Sequence, residues 1–499
     1  MKKLFILFFL IATHLSMFGS YKKHIQVSAE LQDEISQQSL LVSGTIPKWL
    51  SGHLLRNGPI YVTVNGKTNE HWFDGLAMLH AFSFQGGQVE YSNRFLRTDA
   101  YQTVFEEGSL NYVGFAADPC RSVFKRFLTF FLPKEGPELQ NTNVNIAQLA
   151  DTYVALTEIP LPIAFDPQTL ETLGVLDYQD ELPHEHCWES AHPHHDTTRQ
   201  ETLNYLIEYG HLSEYVLYRI EDGSSERQVI ARLPVEEPAY MHSFAVTEHY
   251  VIFTEFPFVV KPLDLITKKQ GFIKNFSWHP ERDTLLTVVE RTSGHVVGQY
   301  QTEPFFAFHH VNAFEKDNSI CMDIVCYQDP SIITEIATYF HSEDEATHFH
   351  YLPFLHRLTL HLVTGKTSTQ KIFDKSVEFP RINERFDGKP YHYVYLTDPR
   401  KLQKDTCRSL YKVHIHTKKV QEWHQDGCCP GEPVFVPAPG ATKEDEGVVL
   451  AVVLDTYQHT SFLLVLDAKS FKEIGRAQVP HAIPPGLHGQ YFDHRLETI

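Results

Sequence analysis

Long hydrophobic runs, paired cysteines, basic charge and helical periodicity are all scarce in this chain, and each scarcity excludes something. No stretch after the N-terminal segment has 18 consecutive apolar residues, so the rest of the sequence offers no membrane-spanning helix. The seven cysteines (Cys120, Cys187, Cys321, Cys326, Cys407, Cys428 and Cys429) are odd in number and contain no Cys-x-x-Cys. A disulfide framework is therefore not expected, and they read as small buried hydrophobes. Lys and Arg number 43 against 62 Asp and Glu, a formal net charge of -19, which argues against a nucleic-acid partner. The acidic surface serves solubility. Helical patterns are confined to two stretches, Arg121–Leu132 and Ile332–Tyr339. No low-complexity linker or compositional boundary divides the 499 residues, so one large unit is expected, spanning 40–499.

What is present points to strands. Hydrophobic residues make up 42% of the chain, enough for a large core, and 35 Phe and 23 Tyr give a high aromatic content. Val89–Phe95, Tyr153–Leu156, Tyr250–Phe253 and Gly447–Leu454 are apolar or alternating runs punctuated by Gly, Pro, Asn and Asp. Many short strands in a chain of this length predict an all-β propeller, although no exact sequence repeat announces one. The N-terminus differs from the rest. Lys2 and Lys3 precede an apolar run from Leu4 to Ala12, then small and polar residues to Ser20. Residues 1–20 are expected to be a signal peptide or an N-terminal hydrophobic anchor. Export to a periplasmic or extracellular location follows from that, with peripheral attachment to a membrane on the cytoplasmic side as the alternative.

Four of the 30 histidines stand in distinctive contexts: His192 in Ser-Ala-His-Pro-His, His242 in Met-His-Ser-Phe, His309 in Phe-His-His-Val-Asn-Ala-Phe-Glu and His488 in Gly-Leu-His-Gly. A lone histidine is more often a satisfied core or surface imidazole than a ligand. His184, His186, His192, His194 and His195 crowd one short segment and could equally be a surface loop that gathers metal adventitiously. His192, His242 and His309 are about one propeller blade apart, so equivalent inner positions of different blades would all face the axis. Convergence there would make an all-imidazole metal site. Imidazole suits Fe, Zn, Cu or Ni, so ligand type alone does not select the ion. Four imidazoles close a tetrahedral zinc site but leave an octahedral ion two open positions.

Ordered motifs along 40–493 carry a resemblance. They are Gly-His-Leu-Leu-Arg-Asn-Gly-Pro (52–59), His-Trp-Phe-Asp-Gly-Leu-Ala-Met-Leu-His (71–80), Phe-Leu-Arg-Thr-Asp-Ala-Tyr (95–101), the first three histidine motifs, Glu-Phe-Pro-Arg-Ile-Asn (378–383), Gly-Glu-Pro-Val-Phe-Val (431–436) and the terminal Leu-His-Gly. Together they resemble the carotenoid cleavage oxygenase family. The likeness is greatest to its animal branch, which holds the β-carotene oxygenases and the retinal pigment epithelium isomerohydrolase. The resemblance implies a seven-bladed β-propeller with a cap of loops and short helices over the metal-bearing face. It implies Fe(II) held by His192, His242, His309 and His488. It also implies hydrogen bonds from ligand imidazoles to Glu158, Glu378 and Glu432, which would fix tautomer and ring orientation. In each doubled motif the first histidine matches the ligand, leaving His194, His195 and His310 in supporting positions. Thr157 matches a position near an open coordination site and is a candidate substrate or oxygen contact.

The implied activity is oxidative cleavage of a C=C bond of a carotenoid or apocarotenoid with both atoms of O2, giving aldehydes such as retinal. The same metal residues serve the isomerohydrolase chemistry on retinyl esters, so they do not separate the two. A non-catalytic carotenoid- or lipid-binding propeller is the third reading, and it predicts a damaged metal site. The segment 117–133 mixes Arg121, Lys125 and Arg126 with apolar residues and is expected to lie in a membrane interface as a basic amphipathic helix. Cys120, Phe124, Phe127, Leu128 and Phe131 are its candidate membrane contacts; the competing reading is a helix packed on the cap.

Overall fold

In the computed structural model the described residues are 25–27, 34–112, 114–116, 141–184, 187–268, 270–341, 352–399 and 408–493. The leader at 1–20, the segment 117–133 and its candidate contacts Cys120, Phe124, Phe127, Leu128 and Phe131 lie outside them.

Seven antiparallel sheets are arranged as propeller blades. Blade one is Asn145–Leu149, Thr152–Thr157, Ile159–Phe165 and Thr172–Val175. Blade two opens with the short strands Cys187–Glu189 and His194–Asp196 and continues through Glu201–Glu208, Ser213–Glu221 and Gln228–Val235. Blade three runs from Ala245–Val246 to Val296–Thr302, and blade four from His310–Lys316 to Thr367–Lys371. Blade five comprises Glu378–Arg381, Tyr393–Thr397, Ser409–His414 and Val420–His424. Blade six is built on Gly447–Asp455, Thr460–Asp467 and Lys472–Gln478.

The ring closes twice. The C-terminal strand Gly489–Asp493 pairs with Gly52–Ile60 to supply the first strand of blade seven. The N-terminal strand Leu41–Gly44 pairs with Lys472–Gln478 as the last strand of blade six. Each closure joins segments from opposite ends of the chain, so neither blade forms from local sequence alone. The expected runs fall where alternation put them. Val89–Phe95 lies in Gln88–Phe95, Tyr153–Leu156 in Thr152–Thr157, and Gly447–Leu454 in Gly447–Asp455. Apolar side chains fill the spaces between sheets, with Leu203, Leu217, Phe253, Val288 and Met322 fully enclosed in the largest cluster.

Long connections between strands form a cap. They include the turn Trp72–Asp74, the segment around Phe115, the turn Phe272–Asn275 and the helix Ser331–His341, where the sequence predicts one over Ile332–Tyr339. Each contributes a side chain to one interior cavity. Among the described residues no helix is long and apolar enough to cross a membrane.

Candidate metal centre

All four expected ligands occupy equivalent places. His192 lies between the two short opening strands of blade two. His242 and His309 come just before the first strands of blades three and four, and His488 just before that of blade seven. These positions face the axis, which is why residues from widely separated parts of the sequence meet there. Local hydrogen bonds hold the backbones in place. The Ser190 hydroxyl donates to the His242 carbonyl at 2.9 Å and accepts from the His192 N–H at 3.2 Å. Ser243 does the same one blade on, donating to the Phe308 carbonyl at 2.7 Å and accepting from the His310 N–H at 3.0 Å. The His488 N–H donates to Val144 at 3.1 Å, and its carbonyl accepts from Asn57 at 2.9 Å.

The four imidazoles present ligand nitrogens that all lie within 4.8 Å of one another. Nε2 of His192 is 2.9 Å from Nε2 of His242, and Nε2 of His309 is 3.1 Å from Nε2 of His488. Burial, and then the neighbouring imidazoles, push His192 well below the ordinary histidine value. Burial lowers His488 to about 4, against the opposing pull of Glu432. Neutral imidazoles are what a metal requires.

Three of the four are backed by carboxylates. Nδ1 of His242 donates to Glu158 at 2.5 Å, Nδ1 of His309 to Glu378 at 2.6 Å and Nδ1 of His488 to Glu432 at 2.9 Å. All three glutamates thus accept from an imidazole of the axial group. Each bond places the proton on Nδ1 and turns Nε2, as the acceptor, toward the common centre. The donor set thus fits a cation of the imidazole-binding kind.

The carboxylates are themselves held. Glu158 accepts from the Tyr240 hydroxyl at 2.8 Å and from the Trp188 indole at 3.2 Å. Glu378 accepts from Tyr327 at 3.0 Å and from the Phe379 N–H at 2.6 Å. Phe379 adopts φ 50°, a left-handed conformation unusual for a phenylalanine, and its ring lies against His309 and His488. Glu432 accepts from Arg56 at 2.8 Å, Arg381 at 3.3 Å and the Gly489 N–H at 3.0 Å. Burial opposes ionisation of Glu432, but Arg381, His488 and Arg56 outweigh it and hold its carboxyl far below the usual range. Sequence reasoning missed Arg56 and Arg381 as partners. Both sit inside quoted motifs, yet nothing in the motifs says that they meet.

The doubled-motif neighbours play other parts. His194 bonds Asp387 at 2.8 Å, His195 sits on the surface with Asp222, and His310 lies between Ser243 and Thr254. His242, His309 and His488 border a cavity of about 340 Å³ whose wall includes Phe73, Phe115, Trp188, Phe272, Phe308 and Phe379. Thr157 also lines it, at the end of a strand whose register shifts between Ala155 and Thr157.

Known proteins share this sequence and this fold. The chain is 33% identical to β,β-carotene 15,15′-dioxygenase of Gallus gallus, over 90% of this chain and 94% of that protein. It is 33% identical to the mitochondrial carotenoid-cleaving dioxygenase of Homo sapiens, over 91% and 88%. A solved mutant of the Synechocystis apocarotenoid oxygenase, ACO, superposes with a TM-score of 0.78 at 26% identity, covering 93% of this chain and 96% of that one. A cobalt-substituted form of Synechocystis ACO superposes with a TM-score of 0.77 at 26% identity, covering 93% and 96%. The family model described as retinal pigment epithelial membrane protein matches residues 28–493. With a seven-bladed propeller, four axial imidazoles and a match over most of its length, the chain belongs to the retinal pigment epithelial membrane protein family, that of the carotenoid oxygenases.

Proposed function

We propose that this chain is a non-haem Fe(II)-dependent dioxygenase that cleaves a C=C bond of a carotenoid or apocarotenoid to aldehyde products such as retinal. The observation that carries the reading is the convergence of His192, His242, His309 and His488 at a point where the last three line an aromatic-walled cavity. Similarity to dioxygenases named for carotenoid cleavage supports it.

Those four histidines would hold the ferrous ion. When bound, it would supply the electrons that allow O2 to react with an alkene. The protein's residues do the rest. Apolar rings such as Phe73, Phe115 and Phe308 bind the polyene and keep water out. Thr157, on the same wall, is the proposed contact for the reacting bond or for O2. Glu158, Glu378 and Glu432 hold three Nδ1 protons, so each ring keeps its metal-facing nitrogen unprotonated. The overall change breaks one C=C bond and the O–O bond and forms two C=O bonds. It releases no proton, and no protein nucleophile or general base is required.

The proposal includes location. Residues 1–20 would direct export or anchor the chain, and 117–133 would contact lipid, from which an insoluble polyene must be drawn. Co-sedimentation with anionic vesicles, reduced by Phe124→Asp with Phe127→Asp, tests the contact.

The activity is tested with anaerobically Fe(II)-loaded protein and detergent-solubilised β-carotene, with and without O2, by chromatography and mass spectrometry. The expected result is an O2-dependent aldehyde whose length identifies the cleaved bond. Iron bound in full with no product from several carotenoids, and turnover of retinyl esters instead, would replace this reading with the isomerohydrolase.

A further inference from the structure

We propose that His392, His414 and His416 form a second, peripheral site for Zn(II) on blade five. The inference is independent of the carotenoid reading. The strand register places this cluster at the end of the blade away from the axial centre. Glu378 stands opposite Thr397, whereas His414 stands opposite Tyr393 at the other end of the same strand, Tyr393–Thr397. His392 precedes Tyr393–Thr397, His414 ends Ser409–His414, and His416 lies in the turn before Val420–His424.

The three rings are grouped much as the axial ligands are. Their centroids are 5.6 Å apart for His392 and His414, 5.6 Å for His392 and His416, and 6.1 Å for His414 and His416. Pairs of axial ligands range from 4.5 Å for His192 and His242 to 6.4 Å for His242 and His488. The surface rings also stand nearly edge-on to one another, at 75°, 76° and 69°. Among the described residues, only the axial four already have their nitrogens within 4.8 Å. The surface rings must turn to close on an ion, and His392 and His416 are exposed enough to do so.

A second observation points to a ligand. Nδ1 of His392 donates to Glu444 at 2.8 Å, the same arrangement that His488 has with Glu432. Glu444 is buried and fixed, accepting the N–H groups of His392 and Tyr393 at 2.7–2.9 Å. A carboxylate behind Nδ1 leaves Nε2 as the acceptor nitrogen and holds the ring for coordination. His414 accepts from the N–H groups of His416 and Thr417 only at 3.3 and 3.4 Å, contacts weak enough to be given up. The cation that acts on His416, Arg357, is engaged by Asp323 through two bonds of 2.7 Å. Three imidazoles with water in the fourth position suit Zn(II).

The test is a Zn(II) titration of the full chain, purified without a polyhistidine tag, in a His242→Ala, His309→Ala background that leaves the axial centre only two imidazoles. One equivalent of micromolar affinity is expected. His414→Ala with His416→Ala should remove it, and Glu444→Gln should weaken it about 10–100-fold. Thermal melting without zinc confirms that each variant folds. Zinc should raise the melting temperature of the background protein and leave that of the double variant unchanged. Zinc bound equally well after His414→Ala with His416→Ala, or only at millimolar concentrations, would overturn the proposal.

Discussion

Glu432 and Glu158 each hold a ligand imidazole, yet their surroundings are opposite in kind. Glu432 is clamped by two guanidinium groups, Arg56 and Arg381, in addition to His488. Among the described residues, Glu158 has only neutral donors, Tyr240 and Trp188, besides His242. The charge of Glu432 is shared with two cations and joins blades five, six and seven. Glu158 holds the Nδ1 proton of His242 without a guanidinium to share its charge. One carboxylate is thus chiefly an element of the fold and the other chiefly an element of the metal site.

The largest effect that could break this contrast is the loss of Glu432. Glu432→Ala leaves Arg56 and Arg381 buried without their partner, and removing one member of a buried ion pair costs about 3–5 kcal/mol. Urea unfolding should show that loss, and a change below about 1 kcal/mol would refute the division of roles. Glu158→Gln comes next. It should weaken metal binding about 10–100-fold with a much smaller change in unfolding free energy, measured by competition with a chelator. Equal destabilisation by the two variants would erase the contrast.

Tyr240→Phe removes one of the hydrogen bonds to Glu158 and should weaken metal binding only a few-fold, in line with about 1 kcal/mol for such a bond. A test by pH concerns Glu189, a buried carboxylate near a guanidinium that serves another group. Arg227 is bidentate to Asp180 at 2.9 and 2.7 Å and stands 3.8 Å from Glu189. Burial raises Glu189 to about 7 in spite of Arg227 and Tyr218. A carboxyl raised on folding contributes stability below its unfolded value, near 4.5, that is lost as pH rises through about 7. Stability of the natural chain should therefore fall over that interval more steeply than that of Glu189→Gln. Parallel pH profiles would mean that Glu189 ionises as Glu432 does, and that nearness to a guanidinium suffices without a direct bond.

Much of the site was legible before the fold. The four histidines and the three glutamates each stand in a motif of the family resemblance, and local residues fix the backbones of the histidines: Ser190 two residues before His192, and Ser243 directly after His242, tie them in place. The partners of the glutamates were not legible. Arg56 lies 376 residues from Glu432, and no periodicity or spacing relates the two. The surface group at His392, His414 and His416 was equally hidden, since it joins the start of one strand to the end of its neighbour and to the following turn.

Strand-forming alternation and the scarcity of helical pattern are short-range properties, so the sequence by itself determined an all-β chain, with four histidines in contexts that resemble the family's ligand motifs. The double closure of the ring, the left-handed Phe379 that aims its N–H at Glu378, and the clamping of Glu432 by arginines from two other blades were decided only by the tertiary structure. The physical reason is that each depends on which distant segments burial brings together, and contacts between blades are fixed by the closing of the ring rather than by neighbouring residues.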